Sequence, residues 1–253
     1  MGISEFIYRL LGWKILAEAK IDGKQVFVVR KRDCNVLVYD HVIHSMLKHG
    51  KIYTGHYWDY FLPLPSAYNK PRVLVIGLGG GTMPFQIKKL YGRKAKVDAV
   101  EKSAEMVRLS KAFLPERLDA KIIVGDGEDY LATKENHYDV IILDTYIGGS
   151  IPRKFLEKSF VEKAGRALSS HGVFAINYAF TPETLARRPN LLRQLKSKFR
   201  VSLIGYPGSA GNTVIICTKG LTPGRLLEKI SANFPRDKEN SVILKAYSKS
   251  LKV

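Results

Sequence analysis

Apolar and polar positions alternate in two different ways along this chain, and the change falls near residue 70. Before it, Ile3, Phe6, Ile7, Leu10 and Leu11 recur at helical spacing and predict a short amphipathic helix. Strand-type runs follow over Lys14–Ile21, Gln25–Arg30 and Asn35–Tyr39, the first two joined by Asp22-Gly23, a common hairpin-turn dipeptide. The apolar and aromatic stretch Tyr57–Leu64, closed by prolines, leads into the second part. After Pro71 the pattern becomes strand, helix, strand, helix. Arg72–Ile76 is a continuous apolar run, as expected of a strand buried on both faces. Glycines follow it, then a helix over about Thr82–Leu90. Strands over Lys96–Val100, Lys121–Val124, Tyr138–Leu143 and Val173–Asn177 alternate with helices over about Ala104–Phe113, Glu128–Ala132 and Arg153–Leu168. A further helix starts at Thr181-Pro182, where a capping hydroxyl and an early proline suit that end. Val201–Ile204 and Thr213–Thr218 form a closing antiparallel hairpin, and one or two amphipathic helices run from Thr222.

Such alternation predicts an α/β fold, a doubly wound, mostly parallel seven-stranded sheet with helices on both faces, Rossmann-like in build. The closing hairpin sets it apart from a plain dinucleotide fold, which would continue strand-helix-strand. Residues 1–70 are expected to form a small β-rich domain, and residues 71–253 the main nucleoside-binding domain.

Composition narrows the classes. With 253 residues, 45% of them hydrophobic, the chain can bury a full core. Two cysteines, Cys34 and Cys217, cannot build a disulfide framework, and no Cys/His cluster has metal-ligand spacing, so no metal is expected. Apolar runs are of strand length, far below the roughly 20 residues of a membrane helix. The first residues lack the pattern of a signal peptide, which predicts a cytoplasmic protein with no membrane partner. The net charge of +18 changes the picture more. It admits a nucleic-acid partner, because clustered cations release counterions from phosphate. The densest run, Arg187, Arg188, Arg193, Lys196, Lys198 and Arg200, also reads as the solvated face of a surface helix.

Four features carry candidate chemistry. The strand before Gly77-Leu-Gly79-Gly80-Gly81-Thr82 ends in glycines where a helix begins, so backbone N–H groups can approach a ligand closely. Thr82 breaks the dinucleotide GxGxxG pattern, and the remaining GxGxG suits a nucleoside better than a pyrophosphate. Glu101 ends the next strand, where an acid can accept both ribose hydroxyl protons; a surface pair with Lys102 is its plainer explanation. Gly125-Asp126-Gly127 follows the third strand and can meet an adenine amino group, or simply turn the chain. Asp144-Thr145-Tyr146 ends the fourth, where ligands of open α/β sheets react. A carboxylate there can orient or deprotonate a nucleophile, or merely cap the next helix.

Taken together these strings resemble the spermidine synthase-like group of the S-adenosylmethionine-dependent methyltransferase superfamily. Asn35-Val-Leu-Val-Tyr-Asp-His-Val-Ile-His44, Gly77–Thr82, Val100-Glu101, Gly125-Asp126-Gly127, Val140-Ile-Ile-Leu-Asp144 and Gly211-Asn-Thr-Val-Ile-Ile-Cys-Thr218 fall in that family's order. The resemblance implies that Gly77, Gly79, Gly80, Gly81, Glu101, Asp126, Gly127 and His44 bind S-adenosylmethionine or its decarboxylated form. It implies that Asp144 and Tyr146 are catalytic, and that a homodimer forms through the N-terminal domain. Three positions depart from the polyamine synthases: Gly80 replaces an acid of the glycine turn, Ile147 replaces the second acid of the fourth strand end, and His44 replaces a glutamine. Tyr146, Tyr178 or Glu183 would have to make up the lost contacts. Methyl transfer from S-adenosylmethionine to a small-molecule acceptor, with anions favoured by the charge, is therefore the leading expectation. Aminopropyl transfer in polyamine biosynthesis is the alternative, and a non-catalytic nucleoside- or nucleic-acid-associated module is the third.

Overall fold

The computed structural model describes residues 12–146, 150–179, 181–205 and 212–251. The amphipathic helix expected over residues 3–11 and the departure at Ile147 lie outside the described residues.

The small sheet is an antiparallel meander of four strands: β1 (Lys14–Ile21), β2 (Lys24–Lys31), β3 (Cys34–Tyr39) and β4 (Val42–Lys48). Asp22 and Gly23 both take positive φ, 49° and 76°, as the tight turn between β1 and β2 requires. Strand β4 was not anticipated, because Val-Ile-His-Ser-Met-Leu-Lys lacks a clean period of two. The stretch after it makes two short 3-10 turns, Tyr57–Phe61 and Leu64–Ala67.

The large sheet runs β10-β11-β9-β8-β5-β6-β7 across seven strands. It comprises β5 (Arg72–Ile76), β6 (Lys96–Glu101), β7 (Lys121–Val124), β8 (Tyr138–Leu143), β9 (Leu168–Ala179), β10 (Arg200–Gly205) and β11 (Asn212–Thr218). Strands β5 to β9 pair in parallel, while β11 inserts antiparallel between β9 and β10. The helices are α1 (Thr82–Tyr91), α2 (Ala104–Phe113), α3 (Gly127–Ala132), α4 (Lys158–Ala167), α5 (Pro182–Lys196), α6 (Pro223–Asn233) and α7 (Lys238–Leu251). The region expected as one helix over 153–168 is a 3-10 turn, Arg153–Leu156, followed by α4. Thr181 caps α5 with a reciprocal bond to Thr184, and Pro182 sits in its first turn.

Both faces of the sheet are covered, which is why its strands read as continuous apolar runs. Val73, Val75, Val140, Ile142, Val173 and Ala175 pack with α6 and α7 on one side. Leu74, Ile76, Ile141, Leu143, Phe174 and Ile176 pack with α4 and α5 on the other. Tyr53, Trp58, Phe61, Leu62 and Leu64 join the first of these layers, so residues 53–67 pack as part of the large sheet's core. The small sheet lays Val26, Val28, Leu37 and Leu47 on Leu109, Phe113 and Leu114 of α2 and its end. Among the described residues no helix is long and apolar enough to cross a membrane.

Candidate active site

Register brings the candidate residues to one edge. Ile76 pairs with Val100 and with Leu143, Glu101 pairs with Val124, and Leu143 pairs with Ile176. The next residue along each strand, at the carboxyl ends, is therefore Gly77, Glu101, Gly125, Asp144 or Asn177. The edge opens into a cleft of about 740 Å³, walled on one side by the small sheet through Tyr39, Val42, Ile43, His44 and Ser45.

The glycine turn fits its place tightly. Gly77 has φ 97°, and a Cβ there would lie 2.2 Å from the Asp144 carbonyl oxygen. No other residue allows the end of β5 to pass so close to β8. Gly77 and Gly79 line the cleft, as do Thr82 and Met83 at the start of α1. Gly80 and Gly81 back the turn instead. The Gly80 N–H donates to Ser45 Oγ at 2.8 Å, and a Cβ on Gly80 would meet the Phe113 ring at 2.8 Å. The space that a side chain would need at position 80 is filled by the small sheet and α2.

Glu101 is held in the cleft by two backbone donors, Leu78 N–H to Oε2 and Ser103 N–H to Oε1, both at 3.0 Å. The carboxylate that could meet a ribose is thus oriented by the glycine turn itself. Asp126 caps α3, accepting the Glu128 N–H at 2.9 Å through Oδ1, while Lys154 pairs with Oδ2. Burial pushes the Asp126 carboxyl up, but Lys154 and the helix N–H groups outweigh it and hold it below the usual range. His44 tilts against Tyr39 with ring centroids 5.3 Å apart, and its burial disfavours the charged imidazolium.

Asp144 sits at the centre. Its Oδ1 accepts from Asn177 Nδ2 at 2.7 Å, and the Tyr57 hydroxyl lies 3.3 and 3.4 Å from its two oxygens. Burial raises its pKa from 3.8 to about 6, and hydrogen bonding from Asn177, Tyr57 and Trp58 offsets only part of that. Asn177 is itself fixed, because its Oδ1 accepts from Asn212 Nδ2 at 2.8 Å. The result is a carboxyl group that changes charge near neutral pH beside an open cleft, the condition for proton exchange with a ligand.

Tyr146 lines the cleft with its ring, but its hydroxyl is committed elsewhere. It donates to the Asn177 carbonyl at 2.7 Å and accepts the Ala179 N–H at 3.0 Å. The Tyr146 hydroxyl is thus bonded to backbone on both sides, while the Tyr57 hydroxyl stands beside Asp144. Tyr178 is fully buried with its hydroxyl on the Thr184 carbonyl, and Glu183 pairs with Arg187 at 2.9 Å on α5; neither lines the cleft. Tyr57, Trp58, Asn177 and Lys154 were not picked out from the sequence. A 3-10 turn has no hydrophobic period to mark it, and Asn177 gave only the signal of ending a strand.

The order of the large sheet, with one antiparallel strand inserted near its edge, defines an α/β fold of the S-adenosylmethionine-dependent methyltransferase kind. Residues 40–208 match the family described as the spermine/spermidine synthase domain, and the chain belongs to that family. A polyamine aminopropyltransferase of Prochlorococcus marinus strain MIT 9301 is 30% identical over 209 residues, covering 78% of this chain and 71% of its own length. Across such relatives the matched part ranges from 30% to 71% of their length, and is about half for several of them. The structure of a probable spermidine synthase from Corynebacterium glutamicum shares the fold at a TM-score of 0.71, with 19% identity over 92% of this chain and 93% of its own. Human methyltransferase-like protein 13, solved with SAH, shares it at 0.58, with 25% identity over 74% of this chain and 96% of its own.

Proposed function

We propose that this chain is an aminopropyltransferase of the spermidine synthase type, which moves the aminopropyl group of decarboxylated S-adenosylmethionine to an amine. This order reverses the sequence-based expectation, which put methyl transfer first. The relatives named polyamine aminopropyltransferases support the transferred group. The observation that carries the chemistry is Asp144, a carboxyl held near pKa 6 at the carboxyl edge of the sheet.

The amine nucleophile is useful only without its extra proton. In the proposed reaction its lone pair attacks the propyl carbon bonded to the sulfonium. The carbon–sulfur bond breaks, its electron pair stays on sulfur, and methylthioadenosine leaves. One proton of the acceptor passes to Asp144 and on to solvent. The donor's own positive charge, enclosed in the same cleft, helps by disfavouring an ammonium next to it. The aromatic faces of Tyr57, Trp58 and Tyr146 suit a cationic sulfur. Glu101 would hold the ribose, Asp126 and Gly127 the adenine, the turn at Gly77 and Gly79 the chain nearest the sulfur, and His44 would close the nucleoside from the small sheet. The enzyme mainly positions, excludes water and accepts a proton.

A second candidate is methyl transfer from intact S-adenosylmethionine. It is favoured by the 25% identity to a methyltransferase-like protein solved with SAH, and by Gly80, which leaves no acid in the turn to repel a donor carboxylate. Titration calorimetry with the two donors, followed by identification of the nucleoside released on turnover, separates them. Aminopropyl transfer requires tighter binding of the decarboxylated donor and release of methylthioadenosine; release of SAH refutes it.

A further inference from the structure

Two lysine–carboxylate pairs tie together the elements beside the cleft. Lys163 of α4 reaches Glu128 of α3 at 2.6 Å, and Lys154 pairs with Asp126, the residue that caps α3. Either pair by itself reads as a structural tie. They differ in where they stand: Asp126 and Lys154 line the cleft, whereas Lys163 and Glu128 do not.

The neighbours of Lys154 fix its place. It sits in the 3-10 turn Arg153–Leu156, where Phe155 and Leu156 are buried and the Phe155 N–H donates to the Pro152 carbonyl at 3.0 Å. The Phe155 ring meets Phe160 edge-on, with centroids 4.9 Å apart, and the Lys154 ammonium stands 5.0 Å from the Phe155 ring centre. Its side chain is 40% exposed, so the head is open to whatever enters the cleft. Asp126 Oδ1 accepts the Glu128 N–H at 2.9 Å, and Oδ2 accepts from the ammonium. An ammonium has three donors and each carboxylate oxygen about two lone pairs, so both partners keep capacity after pairing. The cleft therefore shows a donor and an acceptor side by side. That is the complement of one edge of adenine, where the acceptor N1 and the 6-amino donor are separated by a single carbon.

We infer, resting on the nucleoside placement proposed above, that Lys154 is a base-reading residue: its ammonium donates to adenine N1 while Asp126 accepts from the 6-amino group. The donor is charged, so its bond to N1 is stronger than a neutral donor would make. A base without the N1 lone pair would cover the ammonium and return nothing for the water it displaces. Lys154 and Asp126 together thus check two neighbouring atoms of the base, where Asp126 alone would check one.

The test is titration calorimetry of the full chain with methylthioadenosine and with its 1-deaza analogue, in which C–H replaces N1 and the 6-amino group stays. Wild type should bind the analogue at least about fivefold more weakly, and a smaller gap overturns the proposal. In Lys154→Met the gap should close to within about twofold, while Lys163→Met, away from the cleft, should keep it. A gap of wild-type size in Lys154→Met makes that lysine a tie between elements and overturns the proposal, leaving the nucleoside site in place. Failure of wild type to bind either compound overturns the nucleoside site as well. None of these results depends on which group is transferred, so aminopropyl transfer stands or falls separately, on the nucleoside released in turnover.

Discussion

Replacing Asp144 by Asn tests the site through stability as well as turnover. Asp144 has a carboxyl moved from 3.8 to about 6 by burial. At 1.36 kcal/mol for each tenfold change in proton affinity, its charged form is disfavoured in the folded chain by about 3 kcal/mol. Between about pH 4 and pH 6 the folded state therefore binds more protons than the unfolded one, and wild-type stability falls as pH rises through that window. The amide of the variant keeps the shape and cannot ionise. The stability of Asp144→Asn minus that of wild type should thus grow by about 2 kcal/mol between pH 4 and pH 8, the rest of the 3 kcal/mol lying below pH 4. Urea unfolding followed by circular dichroism at each pH measures it directly. The same variant should lose turnover and bind the donor within about tenfold, 1.4 kcal/mol, of wild type. A stability difference flat with pH to within about 0.5 kcal/mol would refute the raised pKa and, with it, Asp144 as the base.

Other perturbations read the surroundings. Tyr57→Phe removes a donor that favours the Asp144 carboxylate, so the acid limb of the pH–rate profile should move above about pH 6; a limb that stays or falls contradicts the contact. Gly77→Ala puts a Cβ 2.2 Å from a backbone oxygen at positive φ and should cost about 3 kcal/mol or more, seen as a lowered melting temperature. Gly80→Asp should destabilise by about 1–3 kcal/mol through Phe113 and Ser45; tighter binding of the decarboxylated donor at unchanged stability would show that the space exists after all. Asp59 is 3% exposed and accepts from Thr54 N–H, Thr54 Oγ1, Gly55 N–H and Gln86 Nε2. Asp59→Ala should cost at least about 3 kcal/mol in urea unfolding, because those donors lose their common acceptor.

Where local pattern and packing agree, the sequence was enough. The hairpin at Asp22-Gly23, the parallel strands and the cap at Thr181 all declare themselves through period, turn chemistry or a capping side chain. The glycine turn and the acids at the strand ends were visible for the same reason: an open α/β sheet places such residues on one edge. The contacts that escaped depended on long-range fit. Tyr57 and Trp58 reach Asp144 only because a 3-10 turn docks residues 53–67 against the large sheet. Lys154 meets Asp126 across 28 positions of sequence, and the Tyr146 hydroxyl is withdrawn by a backbone carbonyl 31 positions away. Whether position 80 could hold an acid depended on Phe113 and Ser45, which no spacing rule connects to it.

The small sheet is stitched to the large one at several points. Ser45 accepts the Gly80 N–H, Thr82 Oγ1 donates to the Met46 carbonyl at 3.1 Å, Asn35 Nδ2 donates to the Phe113 carbonyl at 2.7 Å, and Arg108 reaches the Glu18 carbonyl at 3.0 Å. Beneath these bonds lies the continuous apolar layer from Val26 to Leu114. The two sheets are therefore expected to melt in a single transition, and the small one is no detachable cassette. Cutting the chain at residue 71 would leave Leu109, Phe113 and Leu114 bare to water and the glycine turn without its outer wall. Such a stump is an aggregation hazard, and the smallest working unit must keep the N-terminal strands.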